Sequence, residues 1–223
     1  MDNVNKEKSP VIMPYSGSCY GNGWNQMKKY FFELLLVLIV SFLLSMPTWG
    51  LGSSDHFEEA PFLFFIFLFS LAYTVLVGWV VEYGVSFAFL KAARGDKLAV
   101  VDMFDSFKNY GNVILANLLV IVIIVFGFIL FIVPGIVFAC KLAFVPYLIV
   151  DRKLDAVEAV KKSWRMTTGH AFNIFLIGFL AIFIAIAGLI CFFVGIIVAA
   201  IWIELAFASM YHAVCQSEKE AEE

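Results

Sequence analysis

Lys141 and Glu204 stand inside long apolar runs, where a charge costs about 2.5–3.5 kcal/mol on insertion scales and so needs a partner or a task. Lys141 is six residues past Gly135 and Glu204 is nine past Gly195. At 1.5 Å rise per residue these positions lie about 9 and 13 Å into apolar helices. Both runs would be entered from the same side, so the spacing predicts an ion pair that fixes helix packing. The alternative chemistry is a polar site for a lipid phosphate, an anionic solute or a proton. Glu33 and Glu82 fall near span ends, where they can snorkel, pair with Lys28 or Lys29, or face neighbouring helices.

Other reactive groups point to less. His56 stands with Asp55, Glu58 and Glu59, but the spacing is that of a solvated loop, and no metal site is assigned. His170 and His212 are lone imidazoles at span ends and read as interfacial groups. Cys19, Cys140, Cys191 and Cys215 show neither a disulfide framework nor zinc spacing. There is no phosphate-binding glycine loop, nucleophile elbow or His-Glu zinc helix. No catalytic residue and no cofactor are therefore assigned, and the chain reads as non-enzymatic.

The elements that must hold these groups follow from composition. Of 223 residues, 62% are hydrophobic and 15% charged, the formal net charge is −3, and mean hydropathy is +0.92. Soluble domains carry roughly half and a quarter. This excludes an ordinary soluble enzyme, a disordered chain and a basic nucleic-acid binder. A spanning helix needs about 20 apolar residues, and two such runs occur at about 30–49 and 61–90. Two longer runs follow, at 112–150 and 171–212. Each is twice the roughly 30 Å hydrocarbon thickness and should fold as a hairpin. Pro134-Gly135 is the expected turn of the first, and Gly188 to Gly195 that of the second. The spans become 112–133, 135–150, 171–193 and 196–212. The expected fold is all-α, a polytopic transmembrane bundle of six spans arranged as three hairpins. Residues 1–23 form a polar tail, 24–214 the membrane domain and 215–223 an acidic tail. Gly178, Gly188 and Gly195 would allow close helix packing.

Charge sets the expected orientation. Every Lys and Arg except Lys141 falls before the first span, between the second and third, between the fourth and fifth, or after the sixth. The loop 50–60 carries acidic groups and no cation. The positive-inside rule places both termini in the cytoplasm. The first 29 residues lack an apolar core, which argues against a cleaved signal peptide.

The segments that precede the first, third and fifth spans share a pattern. Gly23-Trp24, Ser106-Phe107 and Ser163-Trp164 each lead through a short polar stretch into an apolar run. This predicts three parallel repeats, each an amphipathic cytoplasmic helix followed by a hairpin. In the third, Asp155 and Glu158 are spaced as a capping box. Val157, Val160 and Trp164 would form its apolar face, with Glu158, Lys161, Lys162 and Arg165 opposite. Gly169 would stop it. In the second, Asp102 would cap, and Val100, Phe104 and Phe107 would mark the face. Such helices can pack on the bundle ends or contact lipid through Trp24, Phe107, Lys161, Lys162, Trp164 and Arg165.

The run from Pro134-Gly135 through Lys141 and Pro146-Tyr147 to Asp151, followed by Glu158 to His170 with Lys161-Lys162-Ser163-Trp164-Arg165, resembles the membrane domain found beside glycerophosphoryl diester phosphodiesterases. A large group of uncharacterised bacterial membrane proteins is similar to that domain. The resemblance spans roughly residues 100 to 180. It implies a helical bundle in the bacterial cytoplasmic membrane with a cation at Lys141. It implies no activity, because the phosphodiesterase chemistry of those proteins resides in a separate barrel domain. The expected function is that of an accessory or scaffold protein that binds membrane lipids or another membrane protein. The alternative is a small transporter or lipid-handling protein using Lys141 and Glu204.

Overall fold

The computed structural model describes residues 12–47 and 61–222, and all regular structure among them is helical. Helix α1 (Ser16–Ser45) comes first. Helix α2 (Pro61–Tyr73) then passes through a π-turn (Thr74–Gly78) into α3 (Trp79–Arg94). A 3-10 segment (Val100–Asn109) leads into α4 (Tyr110–Leu130), followed by α5 (Ile132–Leu142) and α6 (Val145–Asp151). Helices α7 (Ala156–Met166), α8 (Ala171–Ile190) and α9 (Phe192–Glu222) complete the chain.

Five of the described helical stretches are long and apolar enough to cross a membrane: Phe64–Arg94, Val100–Leu130, Ile132–Asp151, Ala171–Ile190 and Val194–Glu220. The protein is a helical membrane protein. The first expected span coincides with the second half of α1. There the apolar stretch runs only from Tyr30 to Ser45 within the helix, with Lys28, Lys29 and Glu33 beside it. A break at Tyr30 (φ −116°, ψ 25°) separates this half from the first.

That first half corrects the expected polar tail. Residues 16–23 are helical, and Cys19, Tyr20, Gly23 and Met27 bury one side of the helix against α9. Tyr20 donates through its hydroxyl to the Ile177 carbonyl at 2.8 Å, and Trp202 donates through Nε1 to the Tyr20 carbonyl at 2.9 Å. The sequence around these residues is polar enough to hide a stripe four residues apart. At the other end the expected acidic tail is a continuation of α9, with Cys215 buried.

Two prolines set the helix ends of the central hairpin. Proline has no N–H to give the carbonyl four residues back. Helix α4 ends at Leu130, four before Pro134, and α5 ends at Leu142, four before Pro146. The hairpin therefore turns at Phe131, in extended conformation (φ −169°, ψ 161°), rather than at Pro134-Gly135. Pro134 sits in the first turn of α5, where a missing N–H costs nothing. The fourth expected span is likewise two helices, α5 and α6. The α8–α9 turn falls at Cys191, within the expected Gly188 to Gly195 window.

Helices α3 and α9 are central. Helix α3 packs on α1, α6, α9 and the 3-10 segment, and α9 on α1, α3 and α8. Their core includes Tyr83, Phe89, Phe144, Leu148 and Tyr211, all buried. A Cβ on Gly84 would collide with the Met103 carbonyl, so only glycine lets the 3-10 segment lie against α3. The outer parts of the spans differ. Phe64, Phe65, Val122, Phe126, Phe131, Phe172 and Ile190 are exposed, as lipid-facing side chains are.

Candidate functional site

The break between α5 and α6 frees backbone carbonyls, and that of Lys141 is taken up by α7. Ser163 donates to it through Oγ at 2.8 Å and Thr167 through Oγ1 at 3.2 Å. The end of α7 is thereby fastened to α5. Lys141 turns its ammonium the same way, donating to Thr168 Oγ1 at 2.7 Å and lying 5.7 Å over the Trp164 ring. Phe138 meets the same indole at 5.4 Å.

This overturns the expected Lys141–Glu204 pair. Glu204 is half-buried on α9, within electrostatic reach of Glu82 and Tyr147. No ion pair joins it to Lys141, whose hydrogen-bond partner is Thr168. Sequence spacing measures depth along a helix, but the two side chains leave their helices in different directions.

The lipid-contact residues split by helix face. Within each of the three expected pairs the small residue is inward and the aromatic outward. Gly23, Ser106 and Ser163 are buried, whereas Trp24, Phe107 and Trp164 are 39%, 38% and 39% exposed. Trp24 also meets Trp202 at 5.1 Å with the rings tilted, and the Lys28 ammonium lies 5.2 Å from its ring. On α7 the buried stripe is Ala156, Ala159, Ser163 and Met166, not Val157, Val160 and Trp164. Close approach to the bundle selects small side chains, so Val157 and Trp164 face outward with Lys161 and Arg165. Lys162 is half-buried. Asp155 is the N-cap residue but makes no capping bond, because its carboxylate accepts from Asn112 Nδ2 of α4 at 3.2 Å. Gly169 ends the helical stretch with φ +91°, a left-handed conformation that favours glycine.

The second expected amphipathic helix is the 3-10 segment. Its three-residue repeat buries Met103 and Ser106 and leaves Phe104 and Phe107 exposed and stacked at 6.1 Å. Asp102 caps from within, accepting from the Ala99 N–H at 2.9 Å and pairing with Lys91 at 2.9 Å.

An apolar groove of about 460 Å³ runs between the α4–α5 and α8–α9 hairpins. Phe128, Ile136, Phe175, Phe179 and Phe207 line it, with Cys140 and Ala143 on either side of Lys141 in the chain. His56, Asp55, Glu58 and Glu59 lie outside the described residues.

Sequence reasoning missed a polar cluster where α3 and α6 end beside the last turns of α9. Arg94 grips Asp151 with two hydrogen bonds, Nη1 to Oδ1 at 2.6 Å and Nη2 to Oδ2 at 2.7 Å. The Tyr211 hydroxyl donates to the same carboxylate at 3.1 Å. Arg152 donates to Cys215 Sγ at 3.3 Å and lies 3.8 Å from Glu218. Burial lowers the Arg152 proton affinity, but the neighbouring groups, Cys215 first, outweigh it and hold the guanidinium above its ordinary range. The one available signal was that Arg94 and Asp151 each close an apolar run.

Neither the curated proteins nor the solved structures contain a match to this chain. A family model described as a domain of unknown function, DUF7847, matches residues 70–217. That stretch covers α3 to α9 almost entirely, including Lys141, the groove and the Arg94–Asp151 cluster, and by this match the chain belongs to the DUF7847 family.

Proposed function

We propose that this is a non-enzymatic accessory protein of the bacterial cytoplasmic membrane that holds a membrane lipid, with both termini in the cytoplasm. The observation that carries the reading is the conjunction at Lys141. An apolar groove of about 460 Å³ is wide enough for an acyl chain. Beside it stands the Lys141 ammonium, a cation suited to a lipid phosphate. Trp164, at the same place, is a residue type that settles at headgroup depth.

Other features support the reading. The two runs that resemble the membrane domain beside glycerophosphoryl diester phosphodiesterases are the α5–α6 and α7 segments fastened together at Lys141. The shared burial pattern of Gly23-Trp24, Ser106-Phe107 and Ser163-Trp164 supports three repeats, each presenting one aromatic to the interface. The distribution of Lys and Arg supports cytoplasmic termini. A transporter built on a joined Lys141–Glu204 site has no such site to use in this arrangement.

Native mass spectrometry of the protein taken from its own membrane in mild detergent tests the proposal. Retention of one lipid class, lost in Lys141→Met, is the expected result. A protein that emerges bare, or that carries a second protein in fixed ratio and no lipid, overturns the lipid reading. A fluorescent protein fused after Glu223 should be bright; a dark fusion complemented by an active periplasmic phosphatase fusion reverses the orientation.

A further inference from the structure

A second cavity, of about 560 Å³, opens at the charged end of the bundle, where α3, α6, α7 and α9 meet. It is separate from the groove and shares no lining residue with it. Five cations line it, Arg94, Arg152, Lys162, Arg165 and Lys219, against two carboxylates, Asp151 and Glu218.

The charges are unequally committed. Arg94 and Asp151 neutralise one another through their two short bonds and form a fixed wall. Arg152 donates to the Cys215 sulfur at 3.3 Å and is tied to a carboxylate only loosely, Glu218 at 3.8 Å. Lys162, Arg165 and Lys219 have no ion-pair partner among the described residues. Three uncommitted cations and a fourth held loosely thus converge on one concave space. Their mutual repulsion raises the positive potential inside it, and low-dielectric walls focus that potential. A multivalent anion relieves the repulsion and satisfies the donors of two guanidinium groups, which match phosphate oxygens in pairs.

We propose that this cavity is a binding site for a phosphate ester, held by Arg152, Lys162, Arg165 and Lys219. The volume lies within the range of small-ligand sites and leaves room for an organic group on the phosphate. Two sources present the same chemistry: the headgroup of an anionic phospholipid entering beside α7, or a water-soluble phosphate ester. The site does not depend on the groove at Lys141, so either reading can fail while the other stands.

The test uses the full chain purified in neutral detergent, with its melting temperature followed by tryptophan fluorescence at matched ionic strength. Glycerol 3-phosphate is the soluble probe. Reconstitution into phosphatidylglycerol nanodiscs against phosphatidylcholine nanodiscs is the lipid probe. One of the two should raise the melting temperature by several degrees over its control, and which one does identifies the source. Lys162→Gln with Arg165→Gln should weaken the responding probe by about tenfold per cation removed. Lys97→Gln, a surface cation outside the cavity, should respond like the wild type. Should the double variant not fold, Lys219→Gln, on the exposed end of α9, replaces it and should weaken binding about tenfold. No shift with either probe, or an equal response in wild type and variants, overturns the proposal.

Discussion

The charged end and the outer spans of this protein solve different problems with the same apolar residue types. At the charged end, Tyr83, Phe89, Phe144, Leu148 and Tyr211 are buried against one another, and polar groups are held by named partners. In the outer spans, Phe64, Phe126, Phe131 and Ile190 are exposed, as lipid-facing side chains are. Side chains are tightly packed where α3 and α9 cross the rest of the chain, and loosely sorted where a lipid tail can replace a neighbour. Lipid is as apolar as leucine, so exposure there carries no hydrophobic penalty. Specificity of fold therefore concentrates at one end.

The sharpest break of this contrast is a matched pair of truncations. Phe89→Ala should cost about 3–5 kcal/mol, the usual range for emptying a core site. Phe131→Ala, at a position 78% exposed, should change stability by less than about 0.5 kcal/mol. Denaturant titration in detergent reads both, and equal losses would erase the distinction between the two regions.

Next in size is the ion pair. Removing one partner strands the other, so Arg94→Met alone should cost about 3 kcal/mol. The double variant Arg94→Met with Asp151→Leu should recover much of that loss, as coupled neighbours do. Additive losses would show that the two residues stabilise the bundle separately.

A third pair uses glycine. Gly84→Ala must push the 3-10 segment off α3 and should lose about 1–3 kcal/mol. Gly111→Ala, with open space around it in α4, should gain about 0.5 kcal/mol from the helix preference of alanine.

The smallest effect is chemical. Burial pushes the Cys19 thiol up to about 12, since a thiolate there would lose its water. Reactive thiolate is then scarce at pH 8 and stays scarce up to pH 9. Intact-mass analysis after brief maleimide treatment in detergent should find Cys191, which is exposed, labelled and Cys19 unlabelled until the protein is unfolded. Early labelling of Cys19 would move α1 out of the packed region.

Hydropathy and helix-breaking residues carried much of the fold in the sequence itself. The apolar runs became helices, Gly169 ended the α7 stretch, and the last hairpin turned within the Gly188 to Gly195 window. Proline locates its break only to within a few residues, because the break falls at the carbonyl that proline leaves unbonded rather than at proline. The site was less legible. Residue counting fixes how deep Lys141 and Glu204 lie but not their rotation about their helix axes. On α7 the spacing of Val157, Val160 and Trp164 marks the apolar face, but small residues such as Ala156, Ala159 and Ser163, which pack on the bundle, leave little hydropathy signal. Arg94, Asp151, Arg152, Tyr211 and Cys215 come from three distant segments, and no local pattern joins them.

The π-turn at Thr74–Gly78 ties the two regions together. It accommodates one extra residue, and in an α-helix one residue amounts to 100° of rotation. The rod that contains it thus runs at two phases. Above the turn, one phase offers Phe64, Phe65 and Leu68 outward; below it, another aims Val80, Tyr83 and Gly84 inward. Deleting a single residue from the turn would restore a regular helix while swinging the whole upper rod by a quarter of a circle, leaving its lower half in register.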